Sequence, residues 1–170
     1  HNMENVMAVI AAARRAGVDK KSLMDTLAAF SGLHHRMETV REFGGVTYID
    51  DSKGTNIGAL QMALRGLQGP VVLIAGGVDK GGDYRVLSSL IREKVKAMVL
   101  IGEARQKISD ALGRLTKTVM ADSFEEAVKT AHKAAIPGDT VLLCPACSSF
   151  DMFKNYKERG ERFRALVEAL

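Results

Sequence analysis

The chain has 170 residues, of which 46% are apolar and 26% charged, a balance typical of a globular domain with a core of its own. Its net charge of +4 comes from interspersed basic and acidic residues, and aromatic residues make up only 5%. Nucleic-acid-binding surfaces cluster basic residues, and membrane spans need about 18 consecutive apolar residues, so we expect neither kind of partner. Two cysteines are too few for a disulfide scaffold, which favours a cytoplasmic protein.

Two short helix-like segments open the chain. Residues 5–16 predict a helix ended by Gly17, and a second predicted helix starts at about Lys20 and is closed by Gly32. Two such helices have little core, and the chain starts at His1 rather than Met. We therefore expect residues 1–32 to be the helical tail of a preceding central domain, and residues 33–170 to form a separate C-terminal domain.

Strands and helices alternate through the rest of the chain. A hairpin is predicted around Gly44-Gly45, and continuous apolar runs indicate strands buried on both faces. The predicted strands are residues 37–41, 46–49, 71–75, 97–101, 118–120 and 140–143. The predicted helices are residues 55–67, 84–93, 104–113, 123–134 and 150–169. This alternation predicts an α/β, Rossmann-like fold with a mainly parallel sheet and helices on both faces.

The first candidate site follows the second predicted strand. Ligands of such sheets bind beyond the carboxyl ends of the strands, and residues 50–56 there read Asp-Asp-Ser-Lys-Gly-Thr-Asn. A helix start with its free N–H groups, together with Lys53, suits an anionic ligand, and Asp51 can accept a hydrogen bond from a hydroxyl such as that of a ribose. The alternative is a well-capped surface loop.

A second candidate loop, residues 76–83, holds four glycines in seven residues, which permits close approach of the backbone to a ligand. It matches neither G-x-G-x-x-G nor G-x-x-x-x-G-K-[ST], so it is not a Rossmann or P-loop fingerprint. Lys80 is a candidate clamp for a carboxylate or phosphate. The alternative is a flexible turn with an incidental lysine.

The third loop, residues 144–151, contains a C-x-x-C pair. Redox pairs normally lie in the first βα unit, whereas this pair closes the last, and the four histidines are too scattered to complete a zinc site. We therefore predict no metal site. Ser148 and Ser149 precede a predicted helix, which they could cap, and with its N–H groups they could bind a carboxylate. Arg36, where the two segments meet, is a candidate phosphate contact.

Taken together, these motifs resemble the Mur ligases of peptidoglycan synthesis, over the whole chain. Residues 51–56 most resemble the members that add D-glutamate to UDP-N-acetylmuramoyl-L-alanine. Cys144 stands where a serine is expected in this family, and Tyr156 where a phenylalanine is expected. The motifs are His1-Asn2-x-x-Asn5, His35-Arg36-x-Glu38, Asp51-Ser52-Lys53-Gly54-Thr55-Asn56, Gly76-Gly77-x-Asp79-Lys80-Gly81 and Pro145-Ala146-Cys147-x-Ser149-Phe150-Asp151, followed by Phe153 and Arg159-Gly160.

The resemblance implies an ATP-dependent, amide-forming ligase of three domains, in which the amine of D-glutamate attacks an acyl phosphate. It implies nucleotide contacts from Asn2, Asn5, Arg36 and Asp51. It implies substrate contacts from Lys53, Thr55, Lys80, Ser149, Phe150 and Tyr156. No P-loop exists in these residues, so we expect the Mg²⁺ ligands and the ATP chemistry in the central domain, and no activity from this chain alone.

Two alternatives remain open. One is a non-catalytic Rossmann-like module that binds a nucleotide or another anion. The other is a sister ligase, either another Mur ligase or one of the folylpolyglutamate type.

Overall fold

The computed structural model describes the backbone of residues 2–170 and the side chains of residues 3–170. It divides into two compact units, His1–Leu33 and His34–Leu170. The first unit contains helices α1 (Asn2–Arg15) and α2 (Lys20–Ala29). Gly17 follows α1 with a φ of 82°, and Asp19 caps α2 by accepting a hydrogen bond from the N–H of Ser22. Both helices were expected from the sequence.

The second unit is built on a sheet that has six strands within the described residues. Their spatial order is β1-β2-β6-β3-β4-β5; β1 is antiparallel to β2, and the other neighbours are parallel. The strands are β1 (Glu38–Phe43), β2 (Val46–Asp50), β3 (Val71–Gly76), β4 (Val95–Ile101), β5 (Lys117–Met120) and β6 (Thr140–Leu143). The helices are α3 (Ile57–Gly66), α4 (Ser88–Lys94), α5 (Arg105–Leu112), α6 (Phe124–Ala134) and α7 (Tyr156–Glu168), with a 3₁₀ turn at Tyr84–Leu87.

Helices cover both faces of this sheet, as predicted. Successive residues of β3 divide between two cores: Leu73 packs with α3, α4 and α5, whereas Ile74 packs with α6 and α7. Both are buried, which explains why β3 is apolar throughout. Within the described residues, no helix combines the length and the apolar character that crossing a membrane requires.

The end of the chain differs from the prediction. Helix α7 begins at Tyr156 rather than near residue 150, because Asn155 is its cap and accepts hydrogen bonds from the N–H groups of Lys157 and Glu158. The carbonyl of Ser149 instead closes a turn by accepting from Met152 and Phe153. The prediction that Ser148 and Ser149 cap the last helix is therefore wrong.

Candidate ligand site at the carboxyl ends of the strands

Three loops leave the same edge of the sheet, after β2, β3 and β6, and backbone hydrogen bonds join them. The N–H of Ala146 donates to the carbonyl of Gly54 over 2.9 Å, which ties the third loop to the first. Val78 and Ser148 exchange two hydrogen bonds of 3.0 Å, which tie the second loop to the third. The candidate residues on these loops therefore share one connected surface.

Lys80 and Thr55 meet on this surface. Nζ of Lys80 donates a hydrogen bond to Oγ1 of Thr55 over 3.1 Å, although 25 residues separate them in sequence. Lys80 is exposed and Thr55 is half-buried. Helix α3 starts two residues after Thr55, capped by Asn56, so the positive end of its dipole adds to the ammonium charge. This corner of the site is suited to bind an anion.

Lys53 and Tyr156 form a second pair. Nζ of Lys53 lies 4.2 Å from the centroid of the Tyr156 ring, a cation–π distance. The same ring stands edge-on to His35, with 6.1 Å between centroids. The face of the ring makes the contact with Lys53, so tyrosine in place of phenylalanine leaves this arrangement intact.

The third loop presents Ser149 and Phe150. Ser149 is buried, whereas the side chain of Phe150 is 73% exposed. Among residues 2–170, the backbone N–H groups of Phe150 and Asp151 donate to no backbone carbonyl. The carboxylate of Asp151 accepts from the N–H of Glu103 over 3.1 Å and so holds the segment against the loop after β4. These two N–H groups, rather than the start of α7, are the donors available near Ser149.

Asp51 is nearly buried and hydrogen-bonded within the protein. Oδ1 accepts from the N–H of Met37 over 3.3 Å, and Oδ2 accepts from the thiol of Cys144 over 3.0 Å. Burial raises the pKa of this carboxyl, although both hydrogen bonds and the charge of Arg36 oppose that rise. An ionised carboxylate has about four acceptor sites, so two occupied sites leave capacity for a ligand hydroxyl.

Arg36 is exposed between two residues with left-handed backbone, His35 at φ 64° and Met37 at φ 46°. A non-glycine residue there is strained by about 1–2 kcal/mol, so the surroundings must hold the turn in place. The carbonyl of His35 accepts from the N–H of Lys53 over 3.1 Å, and this bond fixes the turn to the first loop.

A buried polar network that the sequence analysis missed lies beneath the loops. Nδ1 of His35 and Oδ2 of Asp50 are 2.7 Å apart, and Oδ1 of Asp50 accepts from the N–H of Ser52. Arg159, 1% exposed, donates from Nη2 to the carbonyls of Ser52 and Cys147. Burial lowers the pKa of Arg159 to about 10, so it remains charged at neutral pH.

A signal for this network was present in the sequence. Arg159 precedes Phe163 and Val167 by four and eight residues, so it lies on the apolar stripe of α7 that packs against the sheet. An arginine on such a stripe predicts a buried, hydrogen-bonded guanidinium. Asp50 gave no comparable signal, because the sequence does not show which of the adjacent carboxylates, Asp50 or Asp51, is buried in the network.

His35, Glu38 and Asp50 bring potential metal ligands within 4.8 Å of one another. Their hydrogen bonds argue against an ion there. Oε2 of Glu38 accepts from the N–H of His35, Oε1 lies by His34 and Arg164, and Nδ1 of His35 is bonded to Asp50. The potential ligand atoms of this group are therefore already engaged by donors and cations of the protein.

Cys144 and Cys147 are both free and buried among the apolar residues on the α3 side of the sheet. Burial raises the pKa of both thiols, whereas reactive and metal-binding cysteines have a lowered pKa. This environment argues against redox or metal-binding chemistry at the pair.

The two remaining candidates lie on α1. Asn5 is exposed in the first unit, and the side chain of Asn2 lies outside the described residues. Their role at a nucleotide stays a prediction.

A family model described as "Mur ligase, glutamate ligase domain" matches residues 35–147, which include the first two loops and the first half of the third. The chain belongs to the Mur ligase family. Two relatives, from Geotalea uraniireducens and Geobacter metallireducens, are 51% and 52% identical over 170 residues, 100% of this chain. Both are named UDP-N-acetylmuramoylalanine–D-glutamate ligase.

The same fold occurs in a solved structure of a pseudomurein peptide ligase type C from Methanothermus fervidus. The similarity has a TM-score of 0.75 at 18% sequence identity and covers 99% of this chain. This chain spans only 35% of that protein, and 38% and 37% of the two relatives. The similarity to the solved structure establishes the fold alone.

Proposed function

We propose that this chain is the C-terminal domain of an ATP-dependent ligase that adds D-glutamate to UDP-N-acetylmuramoyl-L-alanine. The observation that carries the proposal is the pairing of Lys80 with Thr55 across two loops at the carboxyl edge of the sheet. The names of the two relatives support the same specificity. Residues 1–32 would then be the tail of the central ATPase domain, and residues 33–170 the C-terminal ligase domain.

D-glutamate carries two carboxylates, which need two separated groups of donors. Lys80 and Thr55 hold one carboxylate through a charge-assisted hydrogen bond and a hydroxyl. Ser149 and the backbone N–H of Phe150 hold the other. Val78 and Ser148 hydrogen-bond the two loops together, which fixes the spacing between the two groups of donors.

The nucleotide binds on the side of Lys53 that faces away from the D-glutamate contacts. Lys53 is two residues from Asp51 and two from Thr55, so its ammonium can reach both ligands once it leaves the Tyr156 ring. Arg36 contacts a phosphate, Asp51 a ribose hydroxyl, and Asn2 and Asn5 the adenosine end. The central domain would hold ATP and Mg²⁺ and would supply the activation of the acceptor carboxylate, and the residues of this chain bind and orient the incoming amino acid.

A chimera tests the proposal directly. Residues 1–170 replace the matching part of the Geotalea uraniireducens relative, and release of ADP is measured with UDP-N-acetylmuramoyl-L-alanine and one amino acid at a time. We expect turnover with D-glutamate and none above background with L-lysine or meso-diaminopimelate.

The control is the same chimera with Lys80→Ala, which removes the ammonium but leaves the fold. Turnover with a different amino acid in preference to D-glutamate would show that the chain belongs to a sister ligase. An inactive chimera that folds and binds ATP would also count against the proposal.

Experiments on the isolated chain distinguish a ligase domain from a binding module that functions by itself. Because the chain supplies only the outer contacts to the nucleotide, we expect no ATP turnover and a Kd for ATP of about 1 mM or weaker. Isothermal titration calorimetry measures this affinity. A micromolar Kd would favour the binding-module alternative.

A further inference from the structure

Cys144 directly follows β6, and its thiol points at Asp51, a residue of the proposed nucleotide site. Cys144 is fully buried, and Sγ donates a hydrogen bond to Oδ2 of Asp51 over 3.0 Å, across 93 residues of sequence. Burial and the neighbouring Asp51 charge raise the pKa of this thiol well above its ordinary value. The sulfur therefore keeps its proton at neutral pH and acts as a donor.

Gly54 packs directly against the contact between Cys144 and Asp51. A methyl group at Gly54 would lie 2.5 Å from Oδ2 of Asp51 and 2.6 Å from Sγ of Cys144, so the chain there touches both atoms. Oδ1 of Asp51 accepts from the N–H of Met37. The carboxylate is thus held at both oxygens and covered on one face, which leaves few orientations open to it.

Cys147 shows that burial alone does not produce this arrangement. It is equally buried and three residues away, but its sulfur lies 3.1 Å from the hydroxyl of Tyr84, on the side of the second loop. The two cysteines therefore share packing and differ in what they contact. Only Cys144 contacts a residue of the proposed nucleotide site.

We propose that Cys144 is a positioning residue for nucleotide binding: its S–H donates to Oδ2 of Asp51 and orients the remaining acceptor sites of that carboxylate towards a ligand hydroxyl. A thiol is a weaker donor than a hydroxyl, so it orients the carboxylate and leaves most of its accepting strength for the ligand. This inference rests on the proposed contact between Asp51 and the nucleotide.

Kinetics of the chimera with ATP test the inference through Cys144→Ala, Cys144→Ser and the matched control Cys147→Ala. We expect Cys144→Ala to raise the KM for ATP roughly 3- to 10-fold, the range of one net hydrogen bond, with the KM for D-glutamate unchanged. Cys144→Ser restores a donor and should stay within about twofold of the parent. Cys147→Ala should lower stability without changing either KM.

The pH profile gives a readout that loss of packing would not produce. Removing a donor from an ionised carboxylate raises its pKa, so the acid limb of ATP binding should move to higher pH in Cys144→Ala. Asp50 and Arg36 are the other charged groups that act on Asp51, and neither is changed. An unmoved acid limb, or the same KM pattern for Cys144→Ala and Cys147→Ala, would overturn the inference.

The hydrogen bond can be measured independently of function. In the Cys147→Ala background, the infrared S–H stretch of Cys144 should lie at lower frequency than in the same protein carrying Asp51→Asn. If Asp51→Asn leaves the KM for ATP unchanged, the nucleotide contact of the proposed function fails. If the S–H frequency does not respond to Asp51→Asn, the positioning role of Cys144 fails.

Discussion

The ammonium of Lys80 donates to the hydroxyl of Thr55 over 3.1 Å and thereby joins the loop after β3 to the loop after β2. Lys80 is the exposed member of the pair and Thr55 the half-buried one. A carboxylate arriving at this corner can accept from both residues without rearranging either loop. The pair is therefore the most direct place to test the division of the site between ligands.

Lys80→Ala in the chimera should weaken the use of D-glutamate and leave the affinity for the UDP substrate nearly unchanged. A hydrogen bond to a charged group contributes about 1.5–3 kcal/mol, so kcat/KM for D-glutamate should fall roughly 10- to 150-fold. Arg85→Ala is the matched control, because Arg85 is an exposed cation five residues later that pairs with Asp83. If only the KM for ATP changes, the two ligands have been assigned to the wrong loops.

Arg36→Ala should raise the KM for ATP instead, because an exposed guanidinium held by a strained turn is placed to meet a phosphate. We expect an effect of about 10-fold, within the range for charged hydrogen bonds, and no change for D-glutamate. Steady-state kinetics with each substrate varied in turn measure both values. Arg92→Ala, which removes an exposed arginine from α4, should change neither.

Gly160→Ala should destabilise the fold. A methyl group there would overlap Nδ1 of His35, Oδ2 of Asp50 and Oγ of Ser52, and overpacking of this kind costs about 1–3 kcal/mol. Gly58→Ala is the control within another helix, since its nearest neighbour would be Oδ1 of Asn56 at 3.3 Å. Alanine there should be neutral or stabilising. Urea unfolding measures both, and equal stability of the two variants would contradict the packing described here.

Asp51→Asn should raise stability near neutral pH while impairing ATP binding. Burial raises the pKa of Asp51 above 3.8, so the folded state disfavours the ionised carboxylate. The gain in the free energy of unfolding from asparagine is therefore largest at pH values above the pKa of Asp51 in the folded protein. It shrinks as the pH falls through that value and vanishes once both states are protonated.

Asp79→Asn is the opposite control for this pH dependence. The hydrogen bond from Lys107 lowers the pKa of Asp79, so the ionised form stabilises the fold. Asp79→Asn should lose stability near neutral pH, and this deficit should vanish as the pH falls through the folded pKa. Urea unfolding across pH compares the two variants. A loss of stability near neutral pH in both would contradict the sign assigned to Asp51.

The sequence by itself determined the sheet, because continuous apolar runs such as β3 are compatible only with burial on both faces. It also determined which loops carry the candidate site, since the carboxyl ends of parallel strands share one edge. The loop chemistry at Asp51 and Lys80 followed from local residue patterns. The family followed from the same motifs.

Only the tertiary structure decided which side chains meet. The partners are far apart in sequence: Arg159 and Ser52 of the buried network by 107 residues, and Cys144 and Asp51 by 93. No local periodicity encodes such pairs, because they form only when β6 and α7 both lie beside β2. The start of α7 was mispredicted for a related reason. Ser149 and Asn155 are both residue types that cap helices, so the sequence alone does not choose between them. In the structure the carbonyl of Ser149 closes a separate turn, and Asn155 caps the helix.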